Sequence, residues 1–268
     1  MFLILNYFLS QISAVMAVLI SAVVPLHTTP TDCGENNNVK YCYYAGDESS
    51  NEVVYFLHGY TNSVEAWGWN PVTKQVIAEW DKNKILKPHV VSLGLSPVWF
   101  FTIKDHKDLL DSFIVNYESQ VLKRKVIQRT LYGDSMGGHN ALKWAQASPE
   151  IFNRVALICP ALPKSYVSPK LTSGSGIWPF PPISNYFISK NSALEDGTPI
   201  NPLKPDSIQK LPNFYLAAVP KDHYGFYEGA VELKRLLEEA GKTVVYEEQD
   251  AIHCLIKAKK LAQFLAGN

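Results

Sequence analysis

RTLYGDSMGGHNALKW, residues Arg129 to Trp144, decides how the rest of the chain is read. An apolar run ends at Gly133, a glycine-rich turn follows, and apolar residues then recur at helical spacing from Met136 to Pro149. Ser135 stands in the middle of a G-x-S-x-G pattern made with Gly133 and Gly137. It is either a nucleophile on a sharp strand-to-helix turn or a serine in an ordinary glycine-rich loop. The strand–turn–helix context favours the first reading, because so tight a turn leaves no room for side chains at the flanking positions. A serine there opens a helix, whose dipole favours negative charge developing at that point.

Outward from this stretch, strand-like and helix-like segments alternate. Short apolar runs read as buried strands at Val53–Gly59 and His89–Leu95, and further strands are expected at Val126–Gly133, Arg154–Leu162, Phe214–Val219 and Thr243–Glu248. Helices are expected at Pro71–Lys82, Asp105–Lys125, Met136–Pro149, about Phe226–Ala240, and Leu255–Leu265. The pattern implies an α/β fold, with a mostly parallel central sheet and helices on both faces. Reactive groups in such sheets gather at the C-terminal strand ends. One region breaks the alternation: about 161–212 is rich in Pro, Ser, Gly and Asn, and reads as an irregular excursion that covers or lines a pocket or is an inert insertion.

The chain has 268 residues and no formal net charge. Nothing in that balance points to nucleic acid or an anionic membrane as a partner. Residues 1–26 carry no charged side chain, and Ile12–Val24 is a compact apolar run. Its length suits a signal peptide, with an uncleaved anchor or a buried helix as alternatives. The expectation is a secreted or extracytoplasmic protein, with residues 27–268 as one domain and membrane contact only through an uncleaved N-terminal segment. Cys33 and Cys42, in a polar segment expected to be a loop, suit a small disulfide. Cys159 and Cys254 read as small buried residues or a second disulfide, and no Cys/His spacing reads as a zinc site.

A serine hydroxyl needs a base, and the base needs an orienting carboxylate. Downstream of Ser135, Asp222 follows the strand Phe214–Val219, and His253 follows the strand Thr243–Glu248. Both fall in strand-end loops, in the chain order Ser, acid, His. Asp250 follows the same strand as His253 and reads as a solvated turn residue. His223 competes as base but fits the order less well, Asp206 lies in the irregular region, and His139 reads as packing or surface. An oxyanion would be held by two backbone amides: that of Met136, after the serine, and that of Tyr60, in the loop FLHGYTNS after the first long strand. In that loop Gly59 is expected to let the backbone approach the site, and His58 to brace it.

On the segments VVYFLHGYTNS, LYGDSMGGHNAL, FYLAAVPKDHYGF and DAIHC, the chain resembles the α/β-hydrolase superfamily. Within it, the resemblance is to the Putative esterase family of esterase D-like enzymes, feruloyl and acetylxylan esterases and mycolyltransferases. It spans roughly residues 52–264, with LYGDSMGGHNAL the long close match. The resemblance implies an α/β-hydrolase fold and a serine esterase that acts through an acyl-enzyme intermediate. Ser135 would be nucleophile, Asp222 acid and His253 base, with Tyr60 and Met136 as oxyanion donors. The substrate would be a small-molecule or sugar ester, with no metal or cofactor. The ending of the Asp105–Lys125 helix and the 161–212 region depart from the family pattern. Rival readings are an acyltransferase with the same triad, a non-catalytic binding protein on this fold, and a peptidase. Trp67, Trp69, Trp99 and Trp178 could stack on a sugar or aromatic acyl group or pack in core and rim.

Overall fold

A computed structural model describes residues 28–94, 103–162, 208–222 and 224–267. The expected leader, most of the irregular excursion, Trp99, Trp178, Asp206 and His223 lie outside the described residues. Eight strands form one sheet: β1 (Asp32–Asn36), β2 (Val39–Tyr44), β3 (Glu52–Leu57), β4 (His89–Gly94), β5 (Gln128–Asp134), β6 (Arg154–Ile158), β7 (Asn213–Ala218) and β8 (Val244–Glu248). Their order across the sheet is β1-β2-β4-β3-β5-β6-β7-β8. β3 to β8 run parallel, while β1 and β2 join antiparallel.

A strand sends successive side chains to opposite faces, so one buried on both faces reads as a continuous apolar run. β3 does so. Val53, Tyr55 and Leu57 enter one core, and Val54 and Phe56 enter the other. The first core is closed by α3 (Ile103–Tyr117), α4 (Met136–Ala147) and α5 (Tyr227–Glu239), through Phe113, Tyr117, Trp144, Leu233 and Leu237. The second is closed by α1 (Ala66–Trp69), α2 (Pro71–Asn83) and α6 (Lys259–Leu265), through Trp67, Val76, Trp80 and Leu261. Trp80 Nε1 donates to the Ala262 carbonyl at 2.7 Å, tying α2 to α6. Trp67 is a core residue stacked near Trp80 and set edge-on to Phe56, and Trp69 packs against the same cluster.

Several elements differ from the sequence expectation. Residues 33–42 form a hairpin in place of a loop: Asn37 and Asn38 both adopt positive φ (51° and 61°), the backbone of a two-residue type I′ turn. Cys33 and Cys42 stand opposite each other in it and are disulfide-bonded. The helix expected to reach Lys125 leaves α geometry at Tyr117, continues as a π turn over Glu118–Leu122, and ends at Lys123 with φ 51°. β6 stops at Ile158, because Cys159 turns to φ 42° and Pro160 follows. α6 begins at Lys259, four residues later than its apolar pattern suggested. Among the described residues no helix is long and apolar enough to cross a membrane.

Candidate active site

β5 carries Ser135 to the C-terminal edge of the sheet, and α4 begins at the next residue. Ser135 adopts φ 52°, ψ −114°, a backbone that side chains rarely take, and the surrounding chain holds it there. Its amide donates to the Ile158 carbonyl, and its carbonyl accepts from His139 and Ala161 at 3.1 and 2.8 Å. The two glycines of the motif have different jobs. A Cβ on Gly133 would come within 2.1 Å of the Gly137 carbonyl oxygen, so Gly133 closes the turn on itself. A Cβ on Gly137 would meet the Leu57 carbonyl oxygen at 1.9 Å, so Gly137 lets the turn pack against the end of β3.

The loops after β7 and β8 bring two more side chains to the serine. His253 Nε2 lies 2.9 Å from Ser135 Oγ, and His253 Nδ1 lies 2.7 Å from Asp222 Oδ2. A carboxylate only accepts, so Nδ1–H donates to Asp222; a neutral imidazole then leaves Nε2 to accept from the Ser135 hydroxyl. The Asp222 side chain is almost wholly buried, and its Oδ1 accepts the Tyr224 amide at 2.9 Å. The Tyr224 ring stands edge-on to the imidazole, with centroids 4.6 Å apart. Asp250 points away and pairs with Lys221 at 2.8 Å, both well exposed, as expected of a solvated turn residue. That pair nonetheless links the Asp222 loop to the His253 loop.

Tyr60 follows β3 at the same sheet edge, half-exposed, and Met136 opens α4 directly after Ser135. His58 braces the Tyr60 loop as expected: it is buried, Nδ1 lies 2.9 Å from the Gly59 carbonyl, and burial lowers its pKa, so it stays neutral. Gly59 is not the close-approach glycine. A Cβ there would sit 3.5 Å from Asp134 Oδ1, an ordinary contact, so the close approach falls to Gly137. His139 is fully buried on α4, where burial and then the Lys143 charge lower its pKa to about 3.

Two further features lie beside the site. Asp134, directly before Ser135, is buried and accepts from Asn70 Nδ2 at 2.9 Å. The same Asn70 caps α2 through its Oδ1, which accepts the Val72 amide at 2.8 Å. Burial raises the Asp134 pKa to about 6, while His253, Asn70 and the backbone at Asp134 and Gly59 pull it back. Cys159 and Cys254, both unbonded thiols, meet beside His253.

A family model described as Putative esterase matches residues 107–208, the segment that holds the serine turn and leaves out Asp222 and His253. No curated protein matches the chain. Among solved structures, a ferulic acid esterase is similar at 18% identity, covering 88% of this chain and 95% of its own, with TM-score 0.58. Carboxyl esterase 2 of the fungus Tuber melanosporum is similar at 14% identity (91% and 86% covered, TM-score 0.64). An esterase of Pyrobaculum calidifontis is similar at 17% identity (95% and 90% covered, TM-score 0.60). With its eight-stranded, mostly parallel sheet and these structural relatives, the chain has the α/β-hydrolase fold.

Proposed function

We propose that this protein is a serine hydrolase of carboxylic esters. The observation that supports it best is the unbroken hydrogen-bonded chain from Ser135 Oγ through His253 to Asp222, at 2.9 and 2.7 Å, on a strained turn at the sheet edge. Ser135 Oγ attacks the ester carbonyl carbon as its proton passes to His253 Nε2. Asp222 holds the imidazole in the required tautomer and stabilises the imidazolium that forms. The backbone amides of Tyr60 and Met136 hold the oxyanion. Collapse of the tetrahedral intermediate breaks the carbon–oxygen bond, and His253 hands its proton to the departing alcohol. Water, deprotonated by His253, then attacks the acyl-serine and frees the acid.

The test is hydrolysis of short p-nitrophenyl esters by the wild type and Ser135→Ala. The variant is expected to lose roughly a thousandfold or more in kcat/KM, and undiminished turnover in a folded variant sinks the proposal. We further propose that residues 1–26 direct export or anchor the chain, consistent with the charge-free apolar segment and the Cys33–Cys42 disulfide. Fractionation of the producing cells checks this; full-length chain confined to the cytosol overturns it.

A further inference from the structure

Cys159 and Cys254 are 95 residues apart in sequence, yet they converge on the same imidazole as Ser135. Cys159 Sγ, Cys254 Sγ and a His253 ring nitrogen lie within 4.8 Å of one another. Cys254 Sγ is already 3.5 Å from His253 Nε2. In a tetrahedral zinc site, bond lengths of about 2.3 Å to sulfur and 2.0–2.1 Å to nitrogen place neighbouring donor atoms roughly 3.3–3.8 Å apart. Small side-chain rotations would bring these three donors to that spacing.

Three further observations point the same way. The Cys254 amide donates to Cys159 Sγ at 3.1 Å, the kind of outer-shell N–H···S bond that steadies a metal-bound thiolate. Both cysteines sit at positive φ, 42° and 59°, where a glycine would be easier. Such strain is kept where the side chain has a use. Cys159 is fixed by its own amide, which donates to the Ala217 carbonyl at 2.9 Å.

We propose that Cys159, Cys254 and His253 form a binding site for a thiophilic divalent metal ion, zinc by ligand type, and that its occupancy switches the active site off. On binding, the two thiols release their protons to solvent and become thiolate ligands, while neutral His253 binds through Nε2. That lone pair is then unavailable to Ser135, which loses its hydrogen-bond acceptor and its base. The fourth ligand is water or Ser135 Oγ itself, 2.9 Å from the same nitrogen. Separation in the chain explains why no zinc-binding spacing is visible in the sequence.

The binding part stands apart from the proposed ester chemistry, whereas the inhibition part rests on it, so the two are measured separately. Equilibrium dialysis of the thiol-reduced, full-length protein against Zn²⁺ is expected to give one tightly held ion per chain. Cd²⁺ in its place is expected to produce a cadmium–thiolate absorption band. Cys159→Ser and Cys254→Ser, each checked for a native circular dichroism spectrum, should weaken binding at least about tenfold, the loss that even an outer-shell change produces. In the ester assay, Zn²⁺ should inhibit the wild type, a chelator should restore it, and Cys159→Ser should lose most of that inhibition, measured as a fraction of its own zinc-free turnover. Absence of a stoichiometric ion in the reduced wild type overturns the proposal, as does wild-type binding by both variants. A native mass lighter by two hydrogens than the dithiol form, with cleavage mapping a Cys159–Cys254 disulfide, also overturns it. If binding holds but neither protein hydrolyses esters, the metal site survives and the proposed function fails.

Discussion

The two ends of the parallel sheet hold their charged groups and their strained backbone in different ways. At the N-terminal strand ends, carboxylates meet guanidinium groups. Glu118 takes two hydrogen bonds from Arg129, at 2.7 and 2.6 Å, and a third from Tyr55 at 2.7 Å. Glu52 pairs with Arg154 at 2.6 Å. At the C-terminal ends the buried carboxylates meet partners without a permanent charge: Asp134 meets the amide of Asn70, and Asp222 the imidazole of His253. Outside the β1–β2 turn, the left-handed non-glycine residues divide likewise. Lys84 and Lys123 lie where helical segments end, an ordinary place for that conformation. Thr61, Ser135, Cys159 and Cys254 lie in loops around the serine. A carboxylate locked to a guanidinium holds position and fixes charge, whereas one bonded to an imidazole can steady a proton in motion. The first end is built for stability and the second, on the function proposed above, for chemistry.

The sharpest way to break that contrast is to change a carboxylate at the C-terminal end while keeping its shape. Asp222→Asn can offer an amide N–H to His253 Nδ1, which leaves the Nε2 position protonated and unable to accept from Ser135. We expect kcat/KM for a p-nitrophenyl ester to fall by roughly a thousandfold or more, with little change in thermal midpoint. A variant that retains turnover would place the orienting group elsewhere.

Asp134 gives a smaller effect, read through pH. Its pKa rises from an ordinary 3.8 to about 6 in the folded protein, chiefly because it is buried. Between those values the native state binds more protons than the unfolded chain, so this group's contribution to stability falls as pH rises from about 4 to 6. The rise corresponds to roughly 3 kcal/mol, an upper figure for so buried a group. Asp134→Asn removes the titration. Urea midpoints taken every half pH unit should show the wild type losing stability relative to the variant across that window, with the gap constant above it. Parallel curves would mean that Asp134 is not the buried acid described.

The contrast also separates what could be read in the chain from what could not. β3 to β7 were legible because strands buried on both faces are continuous apolar runs, β8 was legible from Val244, Val245 and Tyr246 although it is a part-exposed edge strand, and the serine turn was legible because Gly133 and Gly137 are required by close backbone contacts. The order of Ser135, Asp222 and His253 could be read because each follows a readable strand. β1 could not, because DCGEN is an exposed edge strand with no apolar pattern to mark it. The bond from Asn70 to Asp134 joins residues 64 positions apart, and no local period encodes such a contact; the meeting of Cys159 with Cys254 was readable only as one alternative, a second disulfide, and they meet as free thiols. The π turn escaped because Val121 and Leu122 continue the helical spacing of α3 while the hydrogen-bond pattern beneath them changes.

The least effect on chemistry should come from the other end of the sheet. Glu118→Gln keeps the size of the side chain and one acceptor oxygen, and deprives Arg129 of a charge partner in a setting where Glu118 is nearly buried. Breaking such a pair leaves a poorly compensated charge, here eased because Arg129 is 30% exposed, so roughly 2 kcal/mol of stability should be lost. Denaturant unfolding measures that loss. Turnover by the folded variant should stay within about twofold of wild type, because Glu118 joins the π turn to the start of β5, and Ser135 follows that strand's far end. A large fall in kcat with stability intact would mean that the two ends of the sheet are coupled, and the division between a stabilising end and a reactive end would have to be given up.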